Sequence, residues 1–226
     1  MSKIIKTKEK GNLIVISGPS GSGKGTIIDN LKKINKNIWV SISATTRNMR
    51  PGDEDGKTYF FLTKDEFEKR IKEDDFLEYA KYNDNYYGTP KSKILEHLDQ
   101  GIDVILEIEI QGALKVKELV PDTIFIFILP PSMSELRKRL IGRKTENREV
   151  ILKRFERAYQ EINEVTKYNY VVTNDDIDDA TQKVNSILLS EKCRVDRIEE
   201  VYLGNEEEEI HEILVDKDLD NEEREL

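Results

Sequence analysis

Short apolar runs alternate along the chain with longer stretches in which apolar and charged residues are mixed. A continuous apolar run predicts a strand that is buried on both faces, and apolar positions three or four residues apart predict an amphipathic helix. The predicted strands are residues 13–17, 39–43, 104–108, 123–129 and 170–173, and the predicted helices are residues 24–34, 91–100, 112–119, 134–141, 148–167 and 177–189. This alternation favours an α/β fold in which helices cover both faces of a parallel sheet.

A polar segment interrupts this alternation after the second predicted strand. Residues 44–57 are rich in charged residues, proline and glycine and predict a loop. The elements predicted beyond it are short strands at residues 59–62, 76–82 and 85–88 and a charged helix at residues 64–73. Thr63 is the expected N-cap of that helix. Residues 43–89 therefore predict a small strand-rich insertion.

The stretch GPSGSGKGT joins the first predicted strand to the first predicted helix. Strand, glycine-rich loop and helix follow one another in the order that a phosphate-binding loop requires. Glycines let backbone N–H groups turn inward around a phosphate, and the start of the helix adds partial positive charge. Lys24 adds a full charge that can reach the outer phosphates. The predicted nucleotide-binding residues here are Gly18, Pro19, Ser20, Gly21, Ser22, Gly23, Lys24, Gly25 and Thr26.

The distribution of charge separates a tail from the rest of the chain. The 226 residues have a formal net charge of -9, but residues 191–226 hold 15 of the 45 acidic residues and only 5 of the 36 basic ones. The remainder holds 30 acidic and 31 basic side chains and is almost neutral. We expect one domain over residues 1–193, with a frayed start at residues 1–10, and a solvated acidic tail over residues 194–226. The apolar spacing within that tail leaves open that it docks on the body or on a partner; the residues concerned are Ile198, Val201, Tyr202, Ile210, Ile213 and Leu214.

The composition argues against several classes of protein. An almost neutral body gives no support to binding of nucleic acid or of a membrane surface. The sequence has no apolar stretch near the roughly 18 residues that a membrane-spanning helix needs, and no signal-peptide pattern. Cys193 is the only cysteine, so no disulfide forms within the chain, and we expect a cytoplasmic protein. The sequence makes no prediction of the oligomeric state.

The polar segment carries two arginines, Arg47 and Arg50, whose guanidinium forks suit a bidentate grip on a phosphate. It also carries the pattern T-[ST]-R-x2-[KR]-x2-[DE]-x2-G-x2-Y-x-[FY], matched by Thr45, Thr46, Arg47, Arg50, Asp53, Gly56, Tyr59 and Phe61. Through this pattern the chain resembles the guanylate kinase family over about residues 12–189. The stretches FLEYA, NYYGT, ILEIEIQG and VVTNDD are similar to the family as well.

The resemblance implies a fold and a reaction. The fold is that of a P-loop nucleoside monophosphate kinase, in which a parallel sheet flanked by helices carries a small GMP-binding insertion at about residues 43–89 and a helical lid at about residues 134–154. The γ-phosphoryl group of ATP would pass to GMP, giving ADP and GDP, with Mg²⁺ as the cofactor and dGMP left open as a second acceptor. Because a phosphate oxygen of GMP is already anionic, the transfer needs no general base.

The resemblance also assigns residues to the GMP site. The residues expected to hold the GMP phosphate are Arg47, Arg50, Tyr59 and Tyr87. Those expected to read guanine are Ser43, Glu78 and Thr89, with help from Glu109, and Glu107 is also assigned to the GMP site. The chemistry of guanine supports Glu78 independently. Guanine presents a ring N–H and an amino group side by side, so one carboxylate can accept both hydrogen bonds. Adenine presents an acceptor nitrogen at that edge, which a carboxylate repels.

Basic residues are concentrated in the predicted lid. Phosphoryl transfer spreads negative charge over the moving group, so the main work of such an enzyme is to position and neutralise that group. The residues that the resemblance implies as catalytic are Lys24, Arg139, Arg143 and Arg154. Gly142 suits a flap that closes on ATP. Asn174 is expected near the adenine of ATP.

The chain departs from the family pattern at two positions. Glu109 stands where the family usually has aspartate. Gly25 stands where many phosphate loops have a hydroxyl, so no residue is a certain metal ligand, and we expect Mg²⁺ to be held mainly by phosphates and water, with Thr26 and Glu107 nearby. The form G-K-G-T is similar to that of small nucleotide kinases rather than GTPases.

Two other functions stay open at this level. One is a kinase for another nucleoside monophosphate, against which the arginine-containing pattern and Glu78 argue. The other is a non-catalytic, guanylate-kinase-like binding module, against which the intact Gly23-Lys24 pair argues.

Overall fold

The computed structural model describes residues 6–82, 84–141 and 148–202 of the chain. The strands of these residues are β1 (Lys6–Glu9), β2 (Leu13–Ser17), β3 (Ile38–Val40), β4 (Ala44–Thr45), β5 (Phe60–Phe61), β6 (Phe76–Tyr82), β7 (Asn85–Pro90), β8 (Asp103–Glu107), β9 (Ile124–Leu129), β10 (Tyr170–Thr173) and β11 (Ile198–Tyr202). The helices are α1 (Lys24–Ile34), α2 (Lys64–Lys72), α3 (Lys91–Asp99), α4 (Ile110–Leu119), α5 (Met133–Ile141), α6 (Arg148–Ile162) and α7 (Ile177–Lys192), with 3-10 turns at Asn163–Lys167 and Val195–Arg197. The chain divides into two compact units, residues 11–189 and the two chain ends.

The larger unit is built on a parallel sheet with strand order β10-β9-β2-β8-β3. Side chains of β2 alternate between its two faces, as the period of a strand requires. Ile14 and Ile16 pack in one core cluster with side chains of α1 and α7. Leu13 and Val15 pack in a second cluster with side chains of α3 and α4. Helices therefore cover both faces of the sheet, and the predicted α/β fold is confirmed.

This sheet brings polar groups together at one edge. The strands are parallel, so their carboxyl ends meet there, and ligands of such sheets bind at that edge. The phosphate loop follows β2, Glu107 ends β8, and Asn174 comes directly after β10. These three segments, far apart in sequence, form one end of the sheet.

The insertion folds as a second sheet with strand order β5-β4-β7-β6. Phe67 of α2 fills its core and stacks on Phe76 and Tyr86, with ring centroids 4.4 and 5.1 Å apart. The prediction of a loop from residue 44 is wrong at Ala44–Thr45, which form the buried strand β4. The Thr45 hydroxyl donates a hydrogen bond to Tyr86 O (2.9 Å), so this polar side chain is satisfied inside the sheet.

The unit formed by the chain ends contains a two-stranded antiparallel sheet. β1 pairs with β11, from Lys6 opposite Tyr202 to Glu9 opposite Ile198. The structure thus has a strand where the sequence predicted a frayed start, and a second one within the predicted tail. Residues 203–226 of that tail lie outside the described residues. Within the described part of the chain, no helix has the length and apolar character needed to cross a membrane.

Candidate active site

The phosphate loop connects the end of β2 to the start of α1. Gly18 has φ +148, and a Cβ atom there would lie 2.3 Å from Ile128 O. Gly23 is the N-cap of α1 with φ +93, and a Cβ atom there would lie 2.2 Å from Asn174 Nδ2. Both positions therefore require glycine. The Lys24 ammonium group donates a hydrogen bond to Gly18 O (2.6 Å), at a helix terminus that favours anions.

Asn174 connects this loop to the end of β9 through two hydrogen bonds. Its side-chain amide donates a hydrogen bond to Ser22 O (2.7 Å), and its backbone N–H donates to Leu129 O (2.8 Å). The residue is only 4% exposed. The structure thus gives Asn174 a role in shaping the loop that the sequence did not suggest, and its proximity to adenine stays a prediction.

The arginines of the polar segment are organised by Asp53. Arg47 Nη1 donates a hydrogen bond to Asp53 Oδ2 (2.7 Å), and the backbone N–H of Arg50 donates to the same oxygen (2.6 Å). These two contacts, the one from Arg47 first, lower the pKa of Asp53. The Arg47 guanidinium lies over the Tyr59 ring (5.3 Å from its centroid), and Tyr59 meets Tyr87 edge to face at 6.2 Å. The side chain of Arg50 is exposed.

Glu78 is a buried carboxylate between two elements. It pairs with Thr89 across β6 and β7, and the Thr89 hydroxyl donates a hydrogen bond to Glu78 Oε1 (2.7 Å). Its other oxygen lies close to Gly112 of α4, where a Cβ atom would approach to 3.0 Å. Burial raises the pKa of Glu78, which is 7% exposed, while the Thr89 hydroxyl and the charge of Lys115 act in the opposite direction. Gly112 closes the family-like stretch ILEIEIQG, but nothing in the sequence indicated its contact with Glu78, and no sequence signal separated Lys115 from ordinary helix residues.

The two acidic residues at the end of β8 face different partners. Glu107 Oε1 lies 4.0 Å from the position that a Cβ atom would take on Gly25. The side chain of Glu107 reaches solvent, yet the walls of the cleft leave it poorly solvated and raise its pKa, while Lys24 opposes this effect. Glu109 is the N-cap of α4, and its Oε2 atom forms an ion pair with Arg157 of α6. Sequence reasoning did not single out Arg157.

Two of the three predicted catalytic arginines lie on the described helices, Arg139 on α5 and Arg154 on α6. Arg139 donates hydrogen bonds to Glu135 Oε1 (3.2 Å) and to Asn174 O (3.3 Å). Arg154 donates to the Ser20 hydroxyl of the phosphate loop. Gly142 and Arg143 lie outside the described residues.

A cleft of about 1290 Å³ connects the phosphate loop with the insertion. Residues of both predicted nucleotide sites line it, including Lys24, Ser43, Arg50, Tyr59 and Arg154. The buried Glu78 and its neighbour Thr89 are not among the lining residues. Trp39, the single tryptophan of the chain, also lines the cleft and stacks on His97 of α3, with ring centroids 4.3 Å apart.

Comparison with known proteins identifies the family of this site. A family model described as guanylate kinase matches residues 10–191. The chain belongs to the guanylate kinase family. It is 60% identical to guanylate kinase of Clostridium tetani over 92% of this chain and 100% of that protein. It is 58% identical to guanylate kinase of Caldanaerobacter subterraneus over 90% of this chain and 98% of that protein.

A solved structure supports the same family. The crystal structure of guanylate kinase from Anaplasma phagocytophilum superposes with a TM-score of 0.72 at 32% identity, and the match covers 85% of this chain and 92% of that one. The resemblance inferred from the pattern at residues 45–61 is thereby confirmed. As a member of the guanylate kinase family, this chain is a kinase.

Proposed function

We propose that this chain transfers the γ-phosphoryl group of ATP to GMP, giving ADP and GDP for the synthesis of GTP and dGTP and for the recycling of GMP. The observation that carries the proposal is that Lys24 of the phosphate loop and Arg50 and Tyr59 of the family pattern line one cleft. A phosphoryl donor and a phosphoryl acceptor can therefore meet there. We place the reaction in the cytoplasm, which suits a chain with a single cysteine.

The ATP side of the cleft is the phosphate loop, Gly18 to Thr26. Its backbone amides and the start of α1 would bind the phosphates, and Lys24 would neutralise charge on the group in transfer. Arg139 and Arg154 would add positive charge from the helices beyond the loop. The contact of Arg154 with the Ser20 hydroxyl supports this role, because it brings the guanidinium to the loop itself.

The GMP side is the insertion. Arg47, Arg50, Tyr59 and Tyr87 would hold the GMP phosphate, and Asp53 would orient Arg47 for it. Holding the arginine in advance reduces the entropy that is lost when the phosphate binds. An oxygen of that phosphate then attacks the γ-phosphorus in line with the departing ADP. No side chain has to remove a proton, because the attacking oxygen is already anionic.

Guanine would be read by Glu78, Thr89 and Ser43. The Thr89 hydroxyl already donates to Glu78 Oε1, which fixes the carboxylate before the base arrives. An ionised carboxylate can accept both the ring N–H and the amino group of guanine. Adenine would leave this buried acceptor facing another acceptor, so GMP is expected to be preferred over AMP by several orders of magnitude.

The residues of the cleft fit a magnesium ion that is bound largely through ATP. Gly25 has no side-chain ligand, but Glu107 Oε1 faces it, and the exposed Thr26 hydroxyl follows it. A single carboxylate and a hydroxyl suit Mg²⁺, which usually keeps several waters and binds substrate phosphates. When bound, the ion would neutralise charge on the ATP phosphates.

An acceptor panel tests the proposal. The full chain is supplied with ATP and with GMP, dGMP, AMP, CMP or UMP in turn, and the release of ADP is measured by a coupled assay. We expect rapid turnover with GMP and rates at least about a hundredfold lower with AMP, CMP and UMP. A preference for another monophosphate would favour the alternative kinase, and binding of GMP without turnover would favour a non-catalytic module.

A further inference from the structure

Two arginines of helix α6, Arg154 and Arg157, lie one turn apart and contact different elements across the cleft. Arg154 donates a hydrogen bond to the Ser20 hydroxyl in the phosphate loop. Arg157 forms an ion pair with Glu109, the residue at the start of α4. Helix α4 also carries Gly112, which lies against the carboxylate of Glu78. Helix α6 therefore contacts both the ATP side and the element that lies behind the GMP side.

The guanidinium of Arg157 is held from its own helix. Its Nε atom donates a hydrogen bond to Glu161 Oε1 (2.9 Å), one turn further along α6. Because the planar fork has donors on more than one edge, Arg157 can bind Glu161 and still present Nη2 to Glu109. The side chain is thus oriented toward α4 by a neighbour that belongs to α6 itself.

We propose that the Glu109–Arg157 ion pair holds α6 at the register in which Arg154 meets the phosphate loop, which makes Arg157 a positioning residue for phosphoryl transfer. This inference rests on the proposed function. An arginine accelerates transfer only when its donors lie where charge develops, and displacements of about 1 Å can cost a large part of the rate. A second anchor one turn from Arg154 limits rotation of the helix about its axis.

The length of the side chain at position 109 matters for this contact. Glutamate is one methylene longer than aspartate, and this length lets the carboxylate of Glu109 reach Arg157 of α6. Aspartate at this position is therefore expected to lose most of the contact with Arg157 while keeping the charge. Glu109→Asp is thus a conservative variant that shortens the side chain and keeps its charge, so it tests the length of residue 109 alone.

The pair contributes little to folding. The side chain of Glu109 is 61% exposed, and that of Arg157 is 33% exposed. Exposed pairs of this kind are screened by solvent and add little to stability. Variants at these positions are therefore expected to fold and to melt close to the parent, so that changes in rate can be assigned to the active site.

Steady-state kinetics with ATP and GMP test the proposal. Arg157→Gln, Glu109→Gln and Glu109→Asp are each expected to lower kcat about three- to tenfold, as for coupled neighbours, with the KM for GMP within about twofold of the parent. The double variant of Glu109→Gln with Arg157→Gln should lose no more than either single one. Gln160→Ala, at an exposed position of α6 beyond the predicted lid, is the matched control and should leave kcat unchanged.

Three outcomes would overturn the inference. The first is a raised KM for GMP in Glu109→Gln with an unchanged kcat in Arg157→Gln, which would make Glu109 a contact for guanine. The second is a double variant whose fold-loss in kcat equals the product of the two single losses, because that would show that the two residues act independently. The third is a parent chain that binds both nucleotides without turnover, which would reject the proposed function and this inference with it. Only in the third case is the parent itself inactive, so the two failures are distinguishable.

Discussion

Lys24 is the residue that gives the phosphate loop its full positive charge. Its ammonium group donates hydrogen bonds to Gly18 O (2.6 Å) and Pro19 O (3.3 Å) and so lies across the loop. We expect Lys24→Ala to lower kcat by about 10²- to 10³-fold, because it removes a charge that stabilises the transition state. Binding of GMP, measured by calorimetry, should change little. Lys33→Ala, at an exposed position of α1, is the control, and an equal loss of rate and GMP affinity would contradict the role.

Glu78 is a buried carboxylate, so its ionisation affects the stability of the fold. Burial raises its pKa above the ordinary value of 4.5. The folded state therefore holds this proton to higher pH than the unfolded state does, and the buried carboxylate lowers the free energy of unfolding as the pH rises above 4.5. Glu78→Gln should raise the melting temperature at pH 7 and change it little at pH 4, while kcat/KM for GMP falls about 10²-fold or more. An equal loss of stability at both pH values would contradict this account.

Where one motif defines them, single residues can be proposed from the sequence alone. The loop lysine, the two arginines of the polar segment and the acidic residue of FLEYA all follow from local patterns. The partners of these residues do not, because they depend on which side chains meet across elements. Gly112 of α4 leaves room for Glu78, and Arg157 reaches Glu109 from another helix. Such contacts are set by the packing of the fold.

At the scale of elements, strong hydrophobic patterns give correct boundaries. The predicted bounds of β2, α1 and β10 agree with the structure. The long helix predicted at residues 148–167 instead ends at Ile162 and continues as the 3-10 turn Asn163–Lys167. A side-chain pattern does not distinguish these two helical forms, because their periods are similar over a few residues. Strand β4 was missed because it is short and lies beside a polar loop, and only its pairing with β5 and β7 identifies it.

Helix α2 begins with a capping box, of which the sequence analysis predicted the N-cap, Thr63, but not its partner, Glu66. The Thr63 hydroxyl accepts a hydrogen bond from the backbone N–H of Glu66, and the Glu66 carboxylate accepts one from the backbone N–H of Thr63. We expect Thr63→Ala to lower the free energy of unfolding by about 1 kcal/mol, because it leaves an N–H group of the first turn without its acceptor. Denaturant unfolding measures this change, and kcat should be unaffected.

The double variant of Thr63→Ala with Glu66→Ala tests whether the box acts as one unit. The losses in free energy of unfolding of the two single variants should sum to more than the loss of the double variant, because each hydrogen bond of the box supports the other. Additive losses would show that the two hydrogen bonds act independently.

At the scale of the molecule, the two ends of the chain associate in a way that the sequence does not reveal. β1 and β11 are separated by almost the whole chain, and each is short and rich in charged residues. Neither segment has an apolar pattern that would predict a strand. Their identification depends on the antiparallel pairing between them, which is a property of the folded chain.

Shortening the chain tests what this terminal segment does. Glu191 is 2% exposed and forms ion pairs with Arg194 and Arg197. A chain ending at Cys193 loses both partners together with β11, and we expect its melting temperature to fall by about 5 °C. Its kcat should stay unchanged, because every lining residue of the cleft lies between Gly18 and Glu161. A chain ending at Tyr202 is the control, and lost turnover in the shorter chain alone would assign the segment a part in catalysis.

The stacked pair of Trp39 and His97 gives this molecule a built-in optical signal. Because the chain has a single tryptophan, its intrinsic emission at long wavelengths comes from one known position on the wall of the cleft. Arrival of a nucleotide beside that indole would alter its contact with water and shift the emitted light. Ligand titrations and unfolding curves can therefore be recorded on the unlabelled protein from the same ring, and compared directly between variants.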